Sequence, residues 1–188
     1  MPITINGLTG ISGVDGSNNA PALRGTDTDT GIFFGSDTID LTVGGLSRMK
    51  IDSSGRIVQP YQIGFGLYQS GARSSAGDFV NYSNLLGVET NTANCFNTTT
   101  GVFTAPVAGV YLFGMSLKRE SDNTGRDILQ LRYNNIPNVY ESIEVYGNYQ
   151  DVGNALILKM NTNDNVRCYY SPVIGTQCRA TFSGWLLG

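Results

Sequence analysis

Residues Phe96 to Glu120 read FNTTTGVFTAPVAGVYLFGMSLKRE. Turn formers from Asn97 to Gly101 lead into the short apolar piece Val102-Phe103. Pro106 and Gly109 mark a corner, and one long strand follows over 109–120. Side chains alternate along a strand, so Tyr111, Phe113 and Met115 share one face while Val110, Leu112 and Gly114 share the other. A sandwich strand ordinarily has one face in the core and one in water. Here both faces are apolar at the start of the strand. Two other segments repeat the pattern. In RATFSGWLLG, Phe182 and Leu186 oppose Trp185 and Leu187; in NALILKM, Leu156, Leu158 and Met160 oppose Ala155 and Ile157. A sheet made of such strands needs cover on both sides. Its sandwich partner supplies one, and a neighbouring subunit the other, which implies an obligate oligomer with a large apolar interface. The alternative is a monomer whose loops fold over that sheet.

Outward from this stretch, the rest of the C-terminal portion breaks into strands at about 61–69, 79–86, 94–97, 101–105, 109–120, 127–134, 138–147, 152–161, 165–171 and 179–187. Turn signals separate them, among them Ser121–Gly125, Asn134-Asn135, Gly147-Asn148, Asn161–Asn165 and Gly175-Thr176. Ten short strands with regular turns point to a sandwich or jelly roll. Composition agrees. The chain of 188 residues holds 24 Gly, 10 Tyr and 8 Phe, is only 14% charged, and has no long run of helix formers. The fold class expected is all-β.

The first 60 residues have a different texture, rich in Gly, Thr, Ser and Asp. Residues 1–24 carry scattered apolar side chains among turn formers and read as an extended arm. Its apolar residues Ile3, Ile5, Leu8, Ile11 and Leu23 are the candidate anchoring contacts. Residues 25–60 read as a linker of very short strands: Gly31–Phe34, Thr38–Val43, Leu46–Ile51 and Arg56–Val58. Ile39, Leu41 and Val43 alternate with Asp40 and Thr42, the period of a half-buried strand. A piece this small, with no Cys or His, rarely stabilises itself alone, so its apolar stripe has to rest on another copy or on a larger partner.

The stretch Phe96–Phe113 resembles the central signature of the C1q/TNF-like family: Phe96-Asn97, Thr100-Gly101-Val102-Phe103, Pro106, then Gly109-Val110-Tyr111-Leu112-Phe113. LRYNN (Leu131–Asn135), LKMNTNDNV (Leu158–Val166) and FSGWLL (Phe182–Leu187) follow in the family's order, with Asn135 and Asn163 where the family has glycines. Asn tolerates left-handed turns, so those turns survive. The resemblance covers about 61–188 and implies a ten-strand jelly roll assembled as a homotrimer around a three-fold axis. On that reading Phe103, Val110, Tyr111, Leu112, Phe113, Phe182, Trp185 and Leu186 pack the core and the trimer contact. The N-terminal text, with Asp29-Thr30-Gly31-Ile32 and Arg48–Arg56 (RMKIDSSGR), resembles the leader of virion and fibre proteins of tailed phages of the cyanophage type.

Chemistry is sparse. The chain has no His, which removes His-based triads, His metal sites and the commonest general base. Cys95, Cys168 and Cys178 are an odd number without a secretion signal, and buried free thiols are expected, although Cys168 and Cys178 are placed to face each other across a hairpin. Glu141, Glu144 and Asp151 are the candidates for a paired-carboxylate hydrolase, but the odd spacing of the two glutamates puts them on opposite strand faces. Asp27 and Asp29 alone offer too few oxygens for calcium. Net charge is -3 and no basic run exceeds two residues, which argues against nucleic-acid binding. No signal peptide and no span of about 20 apolar residues is found, so neither export nor membrane insertion is expected.

These observations give one expectation. The protein is a structural virion protein of a tailed phage, not an enzyme, without cofactor or metal. A homotrimeric knob is held on a capsid or tail protein through its arm, as a decoration protein or short fibre. The alternative is an adhesin recognising a host surface glycan or protein, with Tyr146 and Tyr149 as candidate receptor contacts.

Overall fold

The computed structural model describes residues 4–6, 10–12, 15–69, 74–80, 82–84, 91–120, 125–134, 139–146, 151–171 and 177–188. The chain divides into two compact units, Met1–Tyr61 and Gln62–Gly188.

In the first unit, strands β1 (Thr4–Asn6) and β2 (Gly10–Ser12) form a hairpin with Ile5 opposite Ile11. Strands β3 (Gly16–Ser17) and β4 (Ala20–Pro21) form a second hairpin. The segment expected as an extended arm therefore folds back on itself twice, because its Gly and Asn residues supply turns as readily as they supply extension. Strands β5 (Leu23–Arg24), β6 (Gly31–Gly35), β7 (Thr38–Val43), β8 (Leu46–Ile51) and β9 (Ile57–Val58) then make an antiparallel meander in sequence order. Leu23 is thus a strand residue of this sheet. Gly44 and Gly45, at φ 61° and 71°, give the two-residue turn between Val43 and Leu46 its left-handed pair. In the turn before β9, Asp52 Oδ1 accepts the amides of Ser54 and Arg56, and Asp52 pairs with the Arg56 guanidinium at 2.8 Å.

The second unit is a two-layer β sandwich. Its strands are β10 (Gly64–Gln69), β11 (Gly77–Asp78), β12 (Tyr82–Asn84), β13 (Phe96–Asn97), β14 (Val102–Thr104), β15 (Gly109–Arg119), β16 (Arg126–Tyr133), β17 (Val139–Tyr146), β18 (Asp151–Met160), β19 (Asn165–Ser171) and β20 (Cys178–Leu186). One sheet has the order β12-β10-β20-β15-β18; the other runs β13-β14-β19-β16-β17, with β11 also on β19. From β17 onward each strand crosses to the opposite sheet, the winding of a jelly roll. Of the expected strand 79–86, the described part is β12 (Tyr82–Asn84) on β10, with Phe79 and Val80 outside any strand; β11, on β19, ends before it at Asp78. The piece expected at 94–97 begins as a 3-10 turn, Thr92–Asn94, before β13.

Aromatic rings fill the space between the layers. Phe65 stacks on Phe96 and Phe103, with centroids 4.7 and 5.2 Å apart, and meets Phe182 edge-on at 5.0 Å. Phe103 meets Tyr111 and Phe113 edge-on. Tyr111, though buried, keeps its hydroxyl satisfied by donating to the Val107 carbonyl at 2.8 Å.

At another place in the same core lies a fully buried ion pair. Arg119 of β15 donates through Nε to Asp127 of β16 at 2.7 Å and through Nη2 to the Gly125 carbonyl. Tyr170 of β19 donates to the other Asp127 oxygen at 2.9 Å, and the Cys178 thiol of β20 lies 3.6 Å from Oδ2. One carboxylate thus ties four strands from both sheets. A buried charge is tolerated only with this degree of pairing.

Candidate functional site

The register of the first sheet defines its outer face level by level. Gly64, Trp185, Leu112 and Ile157 lie side by side across β10, β20, β15 and β18. The next level is Gly66, Ser183, Gly114 and Ala155, with no side chain larger than Ser. Then come Tyr68, Thr181, Ser116 and Gly153, where Ser116 and Thr181 share a hydroxyl hydrogen bond of 2.7 Å. Beyond them lie Arg179, Lys118 and Asp151. At the other end Leu187 donates its amide to the Val110 carbonyl. The face therefore grades from apolar through small to charged.

At the apolar end Ile157 is 61% exposed, Leu187 55% and Trp185 41%. Val110 and Leu112 are half-buried. The Trp185 indole lies against Gly64 so closely that a Cβ there would sit 2.1 Å from its Cε3. Glycine at 64 is what lets the ring lie across the sheet. Full burial of one such large apolar side chain contributes about 1.5–3 kcal/mol. The part of that gain left unrealised at Ile157, Leu187 and Trp185 makes this the kind of exposed apolar patch that interaction sites present.

The residues singled out in the sequence fall on two sides of this sheet. Phe103, Tyr111, Phe113 and Phe182 are wholly buried between the layers, and Leu186 packs on the same core. Val110, Leu112 and Trp185 are on the outer face. Of the anchoring residues, Ile3 and Leu8 lie outside the described residues, Ile5 and Ile11 are placed by backbone register alone, and Leu23 is 45% exposed on β5. Tyr149 and the side chain of Tyr146 lie outside the described residues. Ile157 and Leu187, noted only as apolar neighbours in the sequence, are the most exposed members of the face.

Asparagines take over the left-handed turn positions at one corner of the sandwich. Asn163 has φ 71° and Asn134 has φ 49°, while Asn135 lies outside the described residues. Asp164 organises this corner. It accepts the Tyr133 hydroxyl, the Asn134 side-chain amide at 2.8 Å and the Asn161 backbone amide at 2.7 Å. These donors, Tyr133 foremost, hold its carboxyl below the ordinary 3.8.

A cleft of about 560 Å³ opens beside the turn Thr92–Asn94, lined by Asn94, Asn97, Thr100, Thr104 and Arg167 among others. Arg167 is held by Asp78 at 2.8 Å. Cys95 borders the cleft, but burial pushes its thiol up to about 11, and it is no thiolate nucleophile at neutral pH. All three cysteines are free and buried. Burial also raises Cys178 to about 11, and Cys168 higher still. Cys168 is on β19 and Cys178 on β20, which belong to different sheets, so they do not face each other across a hairpin. Glu144 is paired with Arg126, and Asp151 is exposed at the start of β18. Among the described residues no cluster of three His, Cys, Asp or Glu is placed to hold a metal, and no helix is long and apolar enough to cross a membrane.

Comparison with known proteins places this geometry. The C1q domain profile matches residues 68–187. Human and mouse complement C1q tumor necrosis factor-related protein 3 are each 34% identical over 103 residues, covering 53% of this chain and 42% of the relative, so the match spans less than half the length of those proteins. Among solved structures, the globular domain of zebrafish complement 1qA superposes with TM-score 0.50 at 23% identity, covering 67% of this chain and 98% of that one. Murine APRIL at pH 5.0 gives 0.52 at 10% identity, covering 66% and 99%. Eiger TNF from S. frugiperda gives 0.51 at 10% identity, covering 68% and 93%. At these identities the superpositions speak for the fold.

Proposed function

This chain belongs to the C1q domain family, and on that premise we propose that it is a non-enzymatic structural protein whose Gln62–Gly188 unit forms a homotrimeric knob. The observation that carries this reading is the apolar end of the outer face: Trp185, Leu112, Ile157 and Leu187 on the sheet β12-β10-β20-β15-β18. Three copies meeting on that face cover it, and the band of Gly66, Ser183, Gly114 and Ala155 lets the backbones approach closely. The absence of His from the chain and the raised, buried thiols support the non-enzymatic part.

The N-terminal unit attaches the knob to a larger particle, the virion of a tailed phage. Its support is the resemblance of the stretches around Asp29–Ile32 and Arg48–Arg56 to phage leaders, together with the small size of the unit. The test compares particles made with the whole chain and with a chain lacking residues 1–61. Protein on purified virions only when residues 1–61 are present is the expected result. Truncated knob retained on virions overturns the anchoring role. Binding of the isolated knob to host glycans, with no virion attachment, favours an adhesin instead.

A further inference from the structure

The small sheet of the first unit is built inside out. In β7, Asp40 and Thr42 are 1% and 2% exposed, whereas Ile39, Leu41 and Val43 are 39%, 38% and 52% exposed. The alternation expected from the sequence is present, but the polar set is the buried one. Its burial is well provided for. Asp40 pairs with Lys50 at 3.2 Å and accepts the Ser47 hydroxyl at 2.5 Å. Thr42 donates to the Gly31 carbonyl at 3.2 Å, and the buried Pro21 lies over Gly31 on that side.

The paired positions of the opposite face are all apolar. Register places Leu23, Ile32, Leu41 and Met49 in one row and Phe34, Ile39, Ile51 and Ile57 in the next, with Val43 beside Leu46 at the end. Seven of these side chains are between 38% and 64% exposed. Together they present on the order of 600 Å² of apolar surface, at the upper limit of what a monomer leaves bare and near the ~800 Å² each partner of a standard interface contributes. The paired positions of these rows carry no charge, and the exposed Arg48, which falls in the bulge between Ser47 and Met49, lies over the Tyr61 ring at 4.8 Å, so the rows themselves suit an identical face.

We propose that this face packs against the same face of the sister chains, forming a second three-fold contact distinct from that of the knob. The inference rests on the homotrimer reading above. Gln62 follows Tyr61 directly, so a trimeric knob holds three such sheets at a local concentration in the millimolar range, where an apolar face of this size associates. Three equivalent five-stranded faces around an axis bring their middle strands nearest to it. That strand is β7, and Leu41 lies near its centre. The face is then consumed by assembly, and attachment to the larger particle falls to the other surfaces of the first unit.

The full-length Leu41→Cys variant tests this, since the three native thiols are buried. A Val58→Cys variant, on the face of Lys50 and Asp40, is the control. Mass by light scattering is read beside cross-linking with a short bismaleimide under native conditions. The expected result is a trimer in which L41C gives covalent dimers and trimers and V58C gives none. A trimer in which L41C stays uncross-linked overturns the face pairing and leaves the knob reading standing. A monomer in both variants and in the parent overturns both. Equal cross-linking at the two positions also overturns the proposal, because it reports proximity without a preferred face.

Discussion

Single residues show where the fold stores its specificity. Asp127 holds Arg119 and Tyr170 in the core, with the Cys178 thiol close by, joining strands of both sheets. Replacing it with Ala leaves the Arg119 guanidinium buried without its counter-charge. The expected cost is about 3–5 kcal/mol, read as a lowered midpoint in urea unfolding. A loss below about 1 kcal/mol would show that the guanidinium escapes to water. Asp164 gives a pH signature. Its carboxyl lies below the ordinary 3.8 because Tyr133 and then Asn134 donate to it. A depressed folded value adds stability above the unfolded value and loses it as pH falls through the folded one. The chain is therefore expected to lose stability as pH drops below about 4. Asp164→Asn should flatten that slope in acid melts while costing stability at neutral pH. An unchanged acid limb would assign the sensitivity to other carboxylates. Neither arrangement is legible in the sequence, where Arg119 and Asp127 are two charges on separate strands and only the packing of the layers brings them together.

At the level of elements, more is readable. Gly, Asn and Asp clusters cut the chain at nearly every observed turn, and the long strands β15, β16, β18, β19 and β20 lie close to where alternation puts them. The two-faced character of β15 is also readable, because apolar residues at both parities in a sandwich strand call for cover on both sides. What period-2 alternation cannot supply is which face has a partner. In β15 the larger set, Tyr111, Phe113 and Met115, goes inside, as volume favours. In β7 the apolar set goes outside, because the Lys50 and Ser47 contacts of Asp40 are supplied by β8. The short pieces β3, β4 and β11 carry no periodicity at two residues each and leave no trace in the sequence pattern. One prediction belongs to this scale. Ile157 is exposed on the outer face of β18, so Ile157→Asp leaves the fold intact while placing a charge beside Leu112. The chain has one Trp, so fluorescence reports on Trp185 alone. The variant is expected to shift its emission to the red and to lower the particle mass, with far-UV circular dichroism unchanged. Unchanged emission and mass would remove this row from the interface.

For the whole molecule, the C1q-family sandwich is a stable core with an unfinished surface. The buried aromatic cluster needs no second chain; the outer face of Trp185, Leu112, Ile157 and Leu187 does. Assembly into the proposed homotrimer is what would cover that face. The measurement that tests this most directly is the mass of the full-length chain in solution by light scattering at micromolar concentration. A value three times the 20.2 kDa of one chain, stable on dilution, is the result the account predicts. A mass of a single chain would contradict it, since the exposed tryptophan face would then have no subunit to cover it.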